Sequence, residues 1–307
     1  MPAENLTVKA IYEPDEPRIT GCDLMLGGTP NFRFYVHIPE GFDSTGAYMT
    51  FDIHSKLERS YTRNYDEGLD IDGRKVFGCD VFSIEMAEPI TAVFHYGEGK
   101  TVSKTWSVQD YLEKFQSSDP AYPLAAATRN YGHYMQPYLS VVHGFTYGTG
   151  EGYDYQAMPA ASGIFPLPEL PGYQRVWGEK GYDPAALSSV GYYDTFDQDT
   201  KINIRLGFRL PPEAVAVTVN GDPSTAIVRT LGPTDYLIEI PNIAANDLGR
   251  ARRIEIMAGD KVVYDAYLSA MSYVSTVLAA KRDQPGEAEA LTAFYEYYDA
   301  ARHYGDS

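Results

Sequence analysis

Three kinds of side chain in this chain have types and spacing that could do chemistry: acids beside a strand, aromatics crowded into one segment, and two cysteines. Asp80, Glu85 and Glu88 flank the strand-forming stretch 81–84. Glycoside hydrolysis needs two carboxyl groups astride a sugar linkage, one as acid and one as base or nucleophile. The same acids fit solvated turns, and that is the reading expected here, so no residue is assigned a catalytic role. A serine nucleophile needs a histidine and an acid converging on it, and no GxSxG elbow is present. Ser107 and Ser269 stand instead where helices need caps. GEGKT (97–101) carries Phe94 where a Walker-type loop has its first glycine, and strand-forming runs flank it on both sides.

There are 26 tyrosines and 2 tryptophans. Tyr147, Tyr153, Tyr155, Tyr173, Trp177, Tyr182, Tyr192 and Tyr193 crowd one region. Flat rings beside Asp and Gln suit stacking on sugars, and amphipathic rings also suit protein interfaces. Tyr153, Tyr155, Tyr173, Trp177 and Tyr182 are therefore the candidate ligand-binding residues. The simpler expectation is a connector held down by its own rings. Cys22 and Cys79 lie in similar strings, TGCDLML and VFGCDVF. They are either a disulfide between facing strands or two buried reduced thiols, and the sequence leaves both open. The 6 histidines are scattered without metal-ligand spacing, so neither a metal nor a cofactor is expected.

Positioning such groups falls to elements that occur twice. VFSIEMAEPITAVFHYGEGKTVSKTWSVQDYLEKF (81–115) aligns with IPNIAANDLGRARRIEIMAGDKVVYDAYLSAMSYVSTVL (240–278). Ile84 falls on Ile243, Lys100 on Lys261, Ser107 on Ser269 and Tyr111 on Tyr273, the offset drifting from 159 to 162. Ala244 then lies opposite Glu85, and Asp247 opposite Glu88. Upstream, 31–53 resembles 201–221; downstream, TRNYGHYMQPYL (128–139) resembles FYEYYDAARHYG (294–305), with Tyr131 on Tyr297 and Tyr138 on Tyr304. Three segments repeating in one order indicate duplication.

Alternating stretches at 6–12, 32–38, 48–53, 76–82, 90–96 and 101–106 read as half-buried strands, with GEGK (97–100) as a hairpin turn. Ser107 caps a short helix ending near Phe115, and a second helix runs from about Leu124 until Pro137 ends it. In the second half, strands near 202–208, 214–219, 235–240, 252–257 and 262–267 precede helices near 269–281 and 286–303. Leu291, Phe294, Tyr298 and Ala301 form the buried face of the last helix. The fold class is thus α+β, with two duplicated units, each a small antiparallel β-sandwich or rolled sheet followed by a helical hairpin. The units span 1–145 and 187–307, and the Tyr/Pro/Gly-rich connector 146–186 packs across them.

Net charge is −17, which argues against nucleic acid, since phosphate binding rests on Lys and Arg. Apolar residues make up 44%, enough for a core in each unit, and no apolar run is long enough to span a membrane. MPAENLTVKA lacks the basic and apolar regions of a signal peptide. If the protein is exported, signal and anchor are expected elsewhere.

The order of motifs resembles a repeated module of large surface proteins from gut-dwelling Gram-positive bacteria. The carriers are Phe34-Tyr35-Val36, Gly46-Ala47-Tyr48, Tyr96-Gly97-Glu98-Gly99, Trp106-Ser107-Val108-Gln109-Asp110-Tyr111 and Asn130-Tyr131-Gly132-His133-Tyr134. In the second half they are Leu268-Ser269-Ala270-Met271-Ser272-Tyr273 and Tyr297 to Tyr304. The resemblance covers about two thirds of the chain and implies an extracellular or surface-attached place among adhesin-like or glycan-handling neighbours. It implies no catalytic residue, and the cysteines and long connector depart from it. The expected function is a non-catalytic binding or spacer module meeting a glycan or a host or cell-surface protein. A carbohydrate-binding module using the connector aromatics is the alternative, and a glycoside hydrolase a third.

Overall fold

The computed structural model describes residues 16–143, 182–196, 199–281 and 286–305. Tyr153, Tyr155, Tyr173 and Trp177, the strand expected at 6–12 and most of the connector lie outside the described residues.

The first half begins with eight strands: β1 (Arg18–Met25), β2 (Asn31–His37), β3 (Tyr48–Ile53), β4 (Arg59–Asn64), β5 (Leu69–Ile71), β6 (Arg74–Asp80), β7 (Ile90–Tyr96) and β8 (Lys100–Trp106). They form two antiparallel sheets, ordered β1-β2-β6-β5 and β4-β3-β7-β8. Alternate side chains of a strand point to opposite faces, so NFRFYVH buries Phe32, Phe34 and Val36 together. Met49, Phe51 and Ile53 of β3 and Ile90, Ala92 and Phe94 of β7 are likewise buried. The two inward faces meet ring to ring, Phe34 on Phe51 at 5.7 Å and Phe77 on Phe94 at 5.8 Å. The β7–β8 hairpin turns on Gly97 and Gly99, both at positive φ.

After β8, helix α1 (Val108–Leu112) starts on a reciprocal cap: the Asp110 amide donates to Ser107 Oγ at 2.9 Å, and the Ser107 amide to Asp110 Oδ2 at 3.0 Å. Helix α2 (Tyr122–His143) follows. It does not end at Pro137, as the sequence suggested. Proline supplies no N–H to the turn before it, but its ring lies on the exposed side. Met135, Gln136 and Leu139 stay buried around it, so packing carries the helix past the break.

The second half contains β9 (Leu187–Thr195), β10 (Lys201–Phe208), β11 (Val215–Val219), β12 (Ile227–Thr230), β13 (Asp235–Ile240), β14 (Arg252–Ala258) and β15 (Lys261–Leu268). They form two antiparallel sheets, ordered β12-β13-β10-β9 and β11-β14-β15. Here the buried positions are aliphatic: Ile202, Ile204, Leu206, Val217, Val219, Ile238, Ile240, Ile254 and Ile256. Helix α3 (Ala270–Lys281) starts at Ser269, whose Oγ accepts from the Ser272 amide at 3.2 Å. Helix α4 (Glu287–Gly305) buries the four residues expected, Leu291, Phe294, Tyr298 and Ala301.

Helices α2 and α4 pack together and join both halves into one buried apolar cluster. Tyr131 of α2 stacks on Tyr297 of α4, centroids 4.9 Å apart and planes 6° from parallel. Gly132 lets α2 sit close to the turn Ser83–Glu85, because a Cβ there would lie 2.9 Å from Met86 Sδ and 3.3 Å from the Ser83 carbonyl. No helix among the described residues is long and apolar enough to cross a membrane.

The cysteines are two free thiols, which corrects the disulfide alternative. Cys22 lies on β1 opposite Phe34, and Cys79 on β6 opposite Phe32, with β2 between them. Two strand spacings of about 4.8 Å put them roughly 10 Å apart, beyond the reach of about 7 Å for a bridge. Burial pushes the Cys22 thiol up to about 11 and Cys79 to about 12, so neither is a ready thiolate. Thiol titration of unreduced protein in denaturant is expected to find both cysteines; a mass gain on reduction would contradict this.

Candidate functional site

The acids first considered for chemistry have structural work. Glu85 is not a solvated turn acid: it is fully buried. Its carboxylate accepts from Ser55 Oγ at 2.7 Å and from the Phe82 amide at 3.1 Å, and pairs with the Arg59 guanidinium. Arg59 lies 3.3 Å from the Phe82 ring centroid and donates to the Asp80 carbonyl. Glu88 is half-buried, and burial, then the neighbouring Glu85, push its carboxyl up.

Asp80 and Asp199 share a depression of about 420 Å³ with Arg59, Tyr61 and Lys201. Each is engaged: Asp80 accepts from Asn31 Nδ2, and Asp199 from the Asn242 amide with Lys201 at 3.2 Å. Both carboxylates are thus held as acceptors by neighbouring side chains and backbone.

Of the aromatic candidates, Tyr182 is described. It is 54% exposed and bridges to Tyr264 of β15. Its ring is available to solvent, but it is not among the residues lining a second cavity, at the crossing of α2 and α4.

That cavity, about 710 Å³, is a groove between the first half of α2 and the second half of α4. Pro120, Tyr122 and Pro123 form one wall; Tyr295, Glu296, Asp299, His303 and Tyr304 form the other. Asn130 lies in it at 1% exposure, and among the described residues its Oδ1 has no hydrogen-bond partner. An unpaired buried carbonyl is unfavourable. Asp299 is bound by Arg302 at 2.8 Å, and its carbonyl receives His303 Nδ1 at 2.7 Å. Burial, then Asp299, push the Glu296 carboxyl up. Burial pushes Tyr295 up to about 12, so it stays a neutral phenol. Among the described residues, no cluster of three or more His, Cys, Asp or Glu is placed to hold a metal. The groove is thus an aromatic-walled cleft rich in hydrogen-bond acceptors.

Sequence reasoning did not bring these residues together. Asn130 stands out only as part of the N-Y-G motif, and Tyr304 only as the match to Tyr138. The usable signal is the alignment itself: Tyr131 on Tyr297 puts Asn130 on Glu296, and the stacked pair places both at one helix crossing.

No protein-family model matches this chain, and no curated protein matches it.

Proposed function

We propose that this chain is a non-catalytic binding or spacer module of an exported bacterial surface protein, built from two copies of one unit. Each copy is a small β-sandwich closed by a helix pair. The observation that carries the two-copy part of this reading is the shared strand order, β1-β2-β6-β5 beside β9-β10-β13-β12 and β3-β7-β8 beside β11-β14-β15; the surface-module role rests on the motif resemblance of the sequence.

Backbone hydrogen bonds outside the sheets support it. The Val81 amide donates to the Pro30 carbonyl and Ile243 to Thr200; Gln109 donates to Met86 and Met271 to Leu248. Val81–Ile243, Met86–Leu248 and Gln109–Met271 share an offset of 162. The frame sets Glu85 opposite Asp247 and revises the alignment, which had placed Ala244 there. Asp247 also binds an arginine, Arg252, at 2.7 Å, so the acid of this turn has an ion-pair role in both copies. The halves differ in that among the described residues β4 has no counterpart beside β11, and α1 has 5 residues where α3 has 12.

Glycan recognition is the second reading, supported by the exposure of Tyr182. The test is an array of glycans and mucin-type proteins probed with the full chain and with the Trp177→Ala/Tyr182→Ala double variant, alongside a glycoside-hydrolysis panel. Retention without turnover is the expected result. Loss of glycan retention in the double variant favours the second reading, and hydrolysis abolished by changing an acid overturns both.

A further inference from the structure

We infer that the groove between α2 and α4 binds the cationic side chain of a basic peptide, seating an Arg or Lys head group between Asn130 Oδ1 and the Glu296 carboxylate. This deepens the binding reading by naming a site and a ligand chemistry.

Two independent observations point to a hydrogen-bond-donating cation. The first is Asn130 Oδ1, enclosed and unpartnered among the described residues while its side chain lines the cleft. A carbonyl oxygen is an acceptor only, so its missing partner is a donor. The second is Glu296, on the facing helix and half-buried. Asp299 already has Arg302, whereas no cation figures among the influences on Glu296; burial and Asp299 both disfavour its charge. A guest cation beside the carboxylate offsets both effects.

The walls suit the rest of such a side chain. Pro120, Pro123 and Tyr122 offer apolar surface to an alkyl stem, and Tyr304, 50% exposed, offers a ring face at the mouth. The volume of about 710 Å³ is that of a ligand pocket. The net charge of −17 draws a basic partner and repels an acidic one. Arginine fits better than lysine, because a planar fork of donors reaches a carboxylate and a neighbouring carbonyl together.

The test uses the full chain and blocked Gly-Arg-Arg-Gly, with citrulline and glutamate analogues as controls, followed by calorimetry and by helix-region amide shifts. Saturable binding of the arginine peptide, weakened by salt and absent for both analogues, is expected. Glu296→Gln is expected to weaken it about tenfold or more, the scale of one lost charge-assisted hydrogen bond. Asn130→Leu is expected to abolish binding while leaving the melting temperature unchanged or raised, since it removes an unpartnered carbonyl. A purely structural Asn130 would instead lower that temperature. Equal binding of the citrulline peptide, no saturation, or affinity indifferent to both substitutions overturns the assignment. Glycan retention in the same preparation would show that the broader binding reading survives such a failure.

Discussion

Glu85→Ala is expected to remove about 3–5 kcal/mol of stability, the cost of breaking a buried ion pair from one side. The size follows from what remains. Arg59 has its guanidinium against the Phe82 ring, with a side chain only 16% exposed, and burial already pulls it below the usual arginine range. Without Glu85 that charge keeps a carbonyl, a ring and the influence of Asp80, but loses its one paired carboxylate among the described residues. Ser55 and the Phe82 amide lose their acceptor as well. Against a domain stability of about 5–15 kcal/mol, that loss is a large share of the total. Glu85→Gln keeps an acceptor and should lose less. Glu85→Leu with Arg59→Met removes both charges and should recover most of the loss. The corresponding Asp247→Ala should cost less than Glu85→Ala, because the lost carboxylate is itself 38% exposed and the buried Arg252 still donates to the carbonyls of Asp247 and Arg250. Urea midpoints of the five proteins, with the parent, test the set. Equal losses at Glu85 and Asp247 would contradict the burial argument.

The sequence made strands with a buried aromatic or aliphatic alternation easy to read. The stretches 48–53 and 90–96 coincide with β3 and β7, and the second-half strands fall within a residue or two of expectation. Strands without that alternation escaped. RSYTRN (β4) buries no side chain and IVRT (β12) is exposed throughout, because each lies at a sheet edge, where one neighbour supplies the hydrogen bonds and side chains need not be apolar. LSSVGYYDT (β9) escaped because Tyr192 and Asp194 occupy its buried face, a polar pattern at core positions. Pro137 misled for the converse reason: a local breaker was outweighed by tertiary packing.

The site was less legible because its parts come from helices far apart in sequence. Asn130, Glu296 and Asp299 are ordinary polar helix residues until α2 crosses α4. The alignment carried that crossing through Tyr131 and Tyr297, but identity misplaced it elsewhere. Ile84 on Ile243 is a match of letters, whereas Val81 and Ile243 share the backbone bond that closes the turn. Glu85 looked like a turn acid because its partners, Ser55 and Arg59, come from another segment with no spacing that announces them.

Asp194→Leu is expected to stabilise the protein at pH 7 and to flatten its stability against pH. Asp194 is 6% exposed on β9, and among the described residues its carboxyl oxygens have no hydrogen bond of good geometry, the Tyr192 hydroxyl being the one hydrogen-bonding influence on it. The polar groups nearest it are Tyr192 on its own strand, Arg252 on β14 and Tyr273 on α3. The Tyr192 hydroxyl donates its proton to the Ser269 carbonyl at 2.6 Å, and Arg252 is engaged with Asp247. Burial pushes the carboxyl well above its usual range, so over the pH range between the unfolded and the native value the native state holds a neutral acid where the unfolded chain holds a carboxylate. The sign follows: from about pH 4, the unfolded value, up to the native value, the folded state binds more protons, and stability falls as pH rises by up to about 1.4 kcal/mol per unit. Asp194→Asn removes that slope but keeps a buried amide. Leucine, the residue at the matching position 24 of β1, removes the polar group too and should add at least about 1–3 kcal/mol at pH 7. Chemical denaturation from pH 4 to 8 separates the variants. A parent slope that persists in both would mean that Asp194 titrates no differently folded than unfolded, and that the fold tolerates the acid at this buried position by a route other than neutralising it.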